Sequence, residues 1–332
     1  MDADDINLQR IIADGDMDGL FAAVILRKHF PNAELRFSHP AEIRGGLIDD
    51  IIDRNTAICD LPFHPQCGLY LDHHETNRPS NEEEEEFISN GGICIWEDKP
   101  SAARVAWDHF NGDEELPSLQ MTMEFVDRID SGQISLEELR EGSDLLWFSR
   151  TINLRDTEYV HSVVARLASG MSMDELLQED DVSLRCQNAR IAAEELDEII
   201  SKKIEVRDRL AILRMDGTGQ RTNGYAVTAF VGEDCDACCI VHGWVEGSIS
   251  TPEKPALSTS FYSNSFLHPK GGVFDLTRMA TLYDETGGGH KNACGCRVQA
   301  LSNFGHKEKR PVELEDVERN LKGWLEEWSR RE

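Results

Sequence analysis

The sequence predicts an α/β protein of two domains joined by a helix, and three features carry that expectation. Through the N-terminal half, short apolar runs alternate with helical patterns, the signature of a largely parallel sheet with helices on both faces. Residues from about 170 to 206 are polar and helical throughout. Beyond them, strand-like runs, a glycine cluster and an amphipathic tail make a smaller mixed α/β domain. The expected boundaries are 1–180 for the first domain, 181–206 for the helical linker and 207–332 for the second.

Taken in order, strands are expected at 8–13, 34–37, 56–59 and 68–71, each a short apolar run. Helices are expected at 19–30, 102–110 and 119–129. The EEEEE run at 82–86 reads as a solvated loop. In the second half, AILRM, GYAVTAFV, DACCIVHGWV and ALSTSFYS read as strands and FDLTRMATLYD as a helix. The tail spaces Val312, Leu314, Val317, Leu321 and Leu325 at helical intervals, which predicts a C-terminal amphipathic helix.

Composition narrows the function classes. A net charge of −28 repels long polyanions, which argues against a non-specific or long-duplex nucleic-acid binder. A small phosphorylated substrate drawn in by a local metal centre remains compatible with that surface. There is no run of 18 apolar residues and no basic-then-apolar start, so no membrane association is expected and a cytoplasmic address is. The nine cysteines lack framework spacing. Cys235-x-x-Cys238 has the spacing of half a zinc site, but Cys294-x-Cys296 is a poor second half, so zinc is not expected.

The stretch IIADGDMDGLFAAVIL sets Asp14, Asp16 and Asp18 at alternate positions before Gly19. A calcium loop is the first reading to test, and it fails. Position 12 of such a loop must be a chelating Glu and here is Ile25, while a strand stands where the entering helix should be. An acidic helix cap is the bland reading. Three carboxylates so close together repel one another unless a cation sits among them, which favours a metal site.

Partners for that site recur at predicted strand and helix ends. AICDLPF supplies Asp60, LYLDHHET supplies Asp72, His73 and His74, and FVDRIDSG supplies Asp127 and Asp130. Near the C-terminus TGGGHKNACG supplies Gly287, Gly288, Gly289 and His290. In an open parallel sheet the strand ends share one rim. Carboxylates and imidazoles gathered there suit Mn²⁺ or Mg²⁺ better than a softer metal.

These motifs, in this order, resemble the DHH phosphoesterase superfamily: the D-x-D-G turn, the lone Asp after a strand, Asp72-His73-His74, the D-S-G aspartate, and the GGGH signature of the associated C-terminal domain. The resemblance runs nearly the whole length and is closer to the short two-domain branch of nanoRNases, nucleoside-bisphosphate phosphatases and exopolyphosphatase-like proteins. It implies two divalent metal ions, Mn²⁺ with Mg²⁺ as the alternative, held by Asp14, Asp16, Asp18, Asp60, His73 and Asp130. Asp60 would bridge them at about 3.5–4 Å separation. Asp72 would orient the histidines, and His74 would stabilise or protonate the leaving oxygen. Gly287, Gly288, Gly289 and His290 would bind substrate phosphate. Homodimers are common among such relatives.

The chain departs from the family pattern in places. Asp14 stands where many members have His, and Cys294 where Ala is usual. Tyr262, with Ser263 and Asn264 beside it, replaces an Arg that grips substrate phosphate; Tyr262 would either stack on a base or pack. Arg104, Arg150 and Arg155 are further candidate phosphate contacts. The expected activity is hydrolysis of phosphodiester or phosphomonoester bonds in short oligoribonucleotides or nucleoside bisphosphates. Its rivals are exopolyphosphatase-like cleavage of phosphoanhydrides and a catalytically silent nucleotide-binding scaffold of the same fold.

Overall fold

The computed structural model describes residues 7–154, 156–251 and 253–331. The chain forms two compact units. One runs to Gln133 and resumes over Glu141–Arg190; the other takes Ile134–Arg140 and continues from Ile191.

The first unit is built on a five-stranded sheet of order β2-β1-β3-β4-β5, from β1 (Arg10–Asp14), β2 (Glu34–Ser38), β3 (Thr56–Cys59), β4 (Leu69–Asp72) and β5 (Ile93–Trp96). Every pairing in it is parallel. Both faces are covered, so β3 and β4 are buried throughout and read as plain apolar runs rather than alternating ones. The helix Met17–His29 is buried on all sides from Met17 to Leu26, which is why LFAAVIL carries no amphipathic stripe. Parallel pairing has one consequence for function. Asp14 ends β1, Asp60 follows β3 and Asp72 ends β4, on three neighbouring strands, so all three lie on one rim.

The EEEEE run is not a loop. It lies in the helix Asn81–Ser89, started by a capping box in which Ser80 accepts from the Glu83 N–H and the Glu83 carboxylate accepts from the Ser80 N–H. Its first-turn glutamates complement the helix dipole, and Phe87 is its only buried residue. One apolar anchor in nine residues leaves no periodic pattern to find. The strand β5, only four residues long, is equally without a pattern of its own.

The second unit holds a six-stranded mixed sheet of order β10-β11-β9-β8-β7-β6, from β6 (Ile204–Arg207), β7 (Leu210–Arg214), β8 (Ala237–His242), β9 (Ser258–Ser263), β10 (Gly288–His290) and β11 (Ala293–Arg297). Here GYAVTAFV, expected as a strand, is the helix Gly224–Val231, capped by Asn223 accepting from the Ala226 N–H. Topology overrides its β-branched composition: β7 and β8 are parallel neighbours, and parallel neighbours require a crossover. The helix expected across FDLTRMATLYD shrinks to Thr277–Ala280. The C-terminal helix, Leu314–Trp328, forms as expected, but Leu314 is 54% exposed, and Trp324 and Trp328 anchor it against Phe261 and Phe274.

That last helix is held by one buried carboxylate. Asp316 accepts from both Arg310 Nη atoms (2.6 and 2.8 Å), from Arg319 (2.8 Å) and from the N–H groups of Glu313 and Leu301. Burial works against its charge, but the Arg310 guanidinium and these donors hold the carboxyl well below the usual range. Asp316→Ala should cost about 3–5 kcal/mol in urea unfolding, because two guanidinium groups lose their buried partner. The stabilisation should be present at neutral pH and fade as pH falls through the acid range, since the folded-state value is depressed. A loss below about 1 kcal/mol would mean the pair behaves as an exposed one.

Candidate active site and metal centre

The site is assembled on the rim of the parallel sheet. Gly19 brings the helix Met17–His29 hard against the end of β1, where any Cβ would collide with the Asp14 backbone. Asp16 is the N-cap of that helix and accepts from the Gly19 N–H at 3.0 Å, so the capping role is real for this one residue. Asp18 does something else. Its two carboxylate oxygens accept from the N–H groups of Ala102 and Ala103, both at 2.7 Å, at the start of the helix Ala102–His109. Asp60 follows β3 with φ +58°, a left-handed conformation that costs a non-glycine residue about 1–3 kcal/mol.

Asp72 is fully buried and saturated with donors. One oxygen accepts from the His73 N–H (2.7 Å), the His74 N–H (3.2 Å) and the His74 ring (2.9 Å); the other accepts from Tyr70 (2.9 Å) and Asn77 (2.8 Å). Burial opposes a charge on His74, yet Asp72 beside it raises the ring to about 9.

His73 is the opposite case. Burial and the neighbouring His74 push it down to about 4, so it is neutral. Its Nδ1 lies 3.0 Å from the Lys99 carbonyl, which can only accept, so Nδ1 carries the proton and Nε2 a lone pair. That Nε2 faces Asp18 and Asp130 at 3.4 Å each and Asp60 at 3.9 Å. Acceptors therefore face acceptors in a low-dielectric site.

The carboxylates feel this. Burial and Asp16 push Asp14 upward, burial and Asp130 push Asp18 upward, and burial and Asp18 push Asp60 upward. Asp130, at the negative end of the helix Gln120–Asp130, is raised to about 7 by burial and Asp16. Ligand atoms of Asp14, Asp16 and Asp60 lie within 4.8 Å of one another, as do those of Asp18, His73 and Asp130. Two adjoining sets of hard oxygen donors with one neutral imidazole fit divalent metal ions.

Other candidates fall differently. Asp127, three residues before Asp130, turns to Ser101 (2.8 Å) and makes a two-pronged pair with Arg104 (2.9 and 2.7 Å). Arg104 is thus committed within the fold rather than presented to a phosphate. Arg150 lies over the Trp147 ring at 4.7 Å, and Arg155 lies outside the described residues. The cysteine pairs are buried free thiols within the second unit and form no metal-spaced group among the described residues.

In the second unit, Gly288, Gly289 and His290 form the edge strand β10 of a hairpin with β11, and Gly287 leads into it. Gly289 has φ +129° and its missing Cβ would meet the Ala293 carbonyl, so only glycine fits. Tyr262, on β9, packs directly against Gly224. Ser263 donates its N–H to the Asn292 carbonyl in the β10–β11 turn. Asn264 is 1% exposed and its amide is spent on the Gly232 and Cys235 carbonyls, so it anchors a loop and offers substrate nothing.

No family profile matches this chain and no curated protein resembles it significantly. Solved structures do share its fold. A pGpG-specific phosphodiesterase, PggH, from Vibrio cholerae is 21% identical with a TM-score of 0.63, the alignment covering 97% of this chain and 99% of that one. The DHH domain of a member of a ribosomal-protein family is 12% identical, with a TM-score of 0.59 over 98% and 87% of the two chains. RecJ from Thermus thermophilus, solved in complex with Mn²⁺, is 14% identical with a TM-score of 0.50 over 96% of this chain, which spans only 52% of RecJ. The fold is that of DHH-domain proteins, as the motifs imply.

A repulsive cluster of this kind should weaken the protein when metal is stripped away. In chelator-treated protein, Asp60→Asn should raise stability by about 1 kcal/mol or more, since it removes a buried charge from among like charges. Thermal and urea unfolding of both proteins would check this. A destabilised variant would mean that Asp60 is favourably paired without metal.

Proposed function

We propose that the chain is a two-metal phosphoesterase acting on small phosphorylated substrates, with short 5′-phosphorylated oligoribonucleotides or nucleoside bisphosphates foremost. The observation that carries this reading is His73 Nε2 facing the Asp18, Asp60 and Asp130 carboxylates across 3.4–3.9 Å. Such an arrangement is sustained by cations. Asp14, Asp16 and Asp60 would hold one ion, and Asp18, His73 and Asp130 the other, with Asp60 close enough to serve both. Bound divalent ions neutralise phosphate oxygens and lower the pKa of a water.

The chain's own residues supply the rest. Asp72 fixes the His73–His74 backbone and keeps the His74 ring charged, so that His74 donates a proton or a hydrogen bond to the leaving oxygen. The Lys99 carbonyl fixes the His73 tautomer. Gly287, Gly288 and Gly289 allow a phosphate to approach the backbone closely, with His290 as a side-chain donor, while Ser263 gives its hydroxyl to Asn292. Hard carboxylate donors suit Mn²⁺ and Mg²⁺ alike, and the His73 imidazole among them makes Mn²⁺ the first assignment with Mg²⁺ as the alternative. The fold shared with a pGpG-specific phosphodiesterase makes a 5′-phosphorylated dinucleotide the first substrate to test.

The test is Mn²⁺-dependent hydrolysis of 5′-phosphorylated RNAs from two to about 20 nucleotides, beside a polyphosphate series. Release of mononucleotides that falls with length is expected. His73→Ala and Asp60→Ala should each lower kcat by at least about a thousandfold. Release of orthophosphate from polyphosphate alone would replace the nucleotide reading with the phosphoanhydride one. Metal-loaded protein that turns over neither would make it a scaffold.

A further inference from the structure

The second unit carries an aromatic pair that no step above uses. Along β9, β11 and β10, Tyr262 pairs with Ala293 and Ala293 with His290, so the three stand in one cross-strand row on one sheet face. At about 4.8 Å per strand, Tyr262 and His290 are about 10 Å apart in that row. The next row on the same face is Ser260, Gly295 and Gly288, which leaves a half-buried floor without bulky side chains.

One wall of that floor is the helix Gly224–Val231. Gly224 sits on the Tyr262 ring so closely that a Cβ there would collide with it, and Tyr225 is the next residue of that helix. The Tyr225 ring lies 5.9 Å from that of Phe266, tilted by 55°. Both residues are half-buried, and neither belongs to the hydrophobic cluster that the helix covers, which takes Val227, Ala226 and Val231 instead.

Phe266 is also fixed in place. Asn264 ties the loop after β9 to the Gly232 and Cys235 carbonyls, and His268 bonds Asp236 at 2.9 Å, itself doubly paired with Arg209. Two aromatic rings are thus carried on anchored elements, outside the core, on the β9 side of the sheet that ends in the glycine strand.

Resting on the phosphoesterase reading, we propose that Tyr225 and Phe266 form a nucleobase-stacking subsite, while the strand Gly288–His290 receives a phosphate of the same nucleotide. A rigid aromatic face rewards a flat π-system and is indifferent to its hydrogen-bonding edge, so this subsite accepts any base. It gives nothing to a polyphosphate chain. The pair takes over the stacking role that the sequence offered for Tyr262, whose ring is occupied by Gly224.

The test is isothermal titration of the full Mn²⁺-loaded chain with a hydrolysis-resistant phosphorothioate pApA and with its abasic counterpart. Tyr225→Leu and Phe266→Leu keep apolar volume but remove the ring. Each should weaken pApA binding about tenfold or more while leaving the abasic ligand's affinity unchanged, and Tyr225→Phe should bind pApA as the wild type does. Equal weakening of both ligands would mean structural damage rather than lost stacking and would overturn the subsite. Leucine variants that bind pApA like the wild type would overturn it while leaving the phosphoesterase reading intact. A wild-type chain that neither binds nor hydrolyses any dinucleotide would remove the nucleotide reading, and this subsite with it.

Discussion

Mutual repulsion among buried carboxylates is the constraint on which the first unit is arranged. Burial drives Asp14, Asp18 and Asp60 upward in pKa, with Asp16 adding to Asp14, Asp130 to Asp18 and Asp18 to Asp60, and Asp130 is raised to about 7. A fold does not gather such groups for stability, since each raised pKa is free energy lost at neutral pH. Much of the surrounding structure is best understood as holding them together against that repulsion until cations arrive.

The restraints are specific. Asp18 is clamped by two backbone N–H groups at a helix N-terminus, which lowers the cost of its charge without consuming its remaining lone pairs. Asp130 is placed through its own helix, which Asp127 locks to Arg104 and Ser101 of the neighbouring one. Asp60 is held in a left-handed conformation by the strand pairing on either side. Asp72 stands apart: its pKa is lowered, because although burial opposes its charge, His74 and the hydrogen bonds from His74 and Asn77 outweigh it. Thus two neighbouring histidines are shifted in opposite directions, His73 down to about 4 by burial and His74, and His74 up to about 9 by Asp72 against burial.

Much of this was legible in the sequence, for a reason that lies in parallel sheets. Acidic residues placed directly after apolar runs share a rim whenever the strands are parallel, so Asp14, Asp60 and Asp72 could be brought together without coordinates. What stayed hidden depends on distant backbone. The partners of Asp18 are N–H groups more than 80 residues away and carry no side-chain signature. The strained backbone of Asp60 and the tautomer-fixing Lys99 carbonyl leave no mark in residue type. In the second unit, GYAVTAFV looked like a strand because its composition is β-branched and aromatic, and only the parallel pairing of β7 with β8 requires it to be a helix. Asn264, read as a substrate contact beside Tyr262, is buried and anchors the loop after β9.

The most direct measurement of the central claim is metal stoichiometry with electron paramagnetic resonance on chelator-stripped protein titrated with Mn²⁺. Two ions per chain, giving the exchange-coupled spectrum of a pair and reduced to uncoupled binding in Asp60→Asn, is the predicted result. Failure of the folded chain to bind Mn²⁺ or Mg²⁺, or a single isolated ion unaffected by Asp60→Asn, would contradict it.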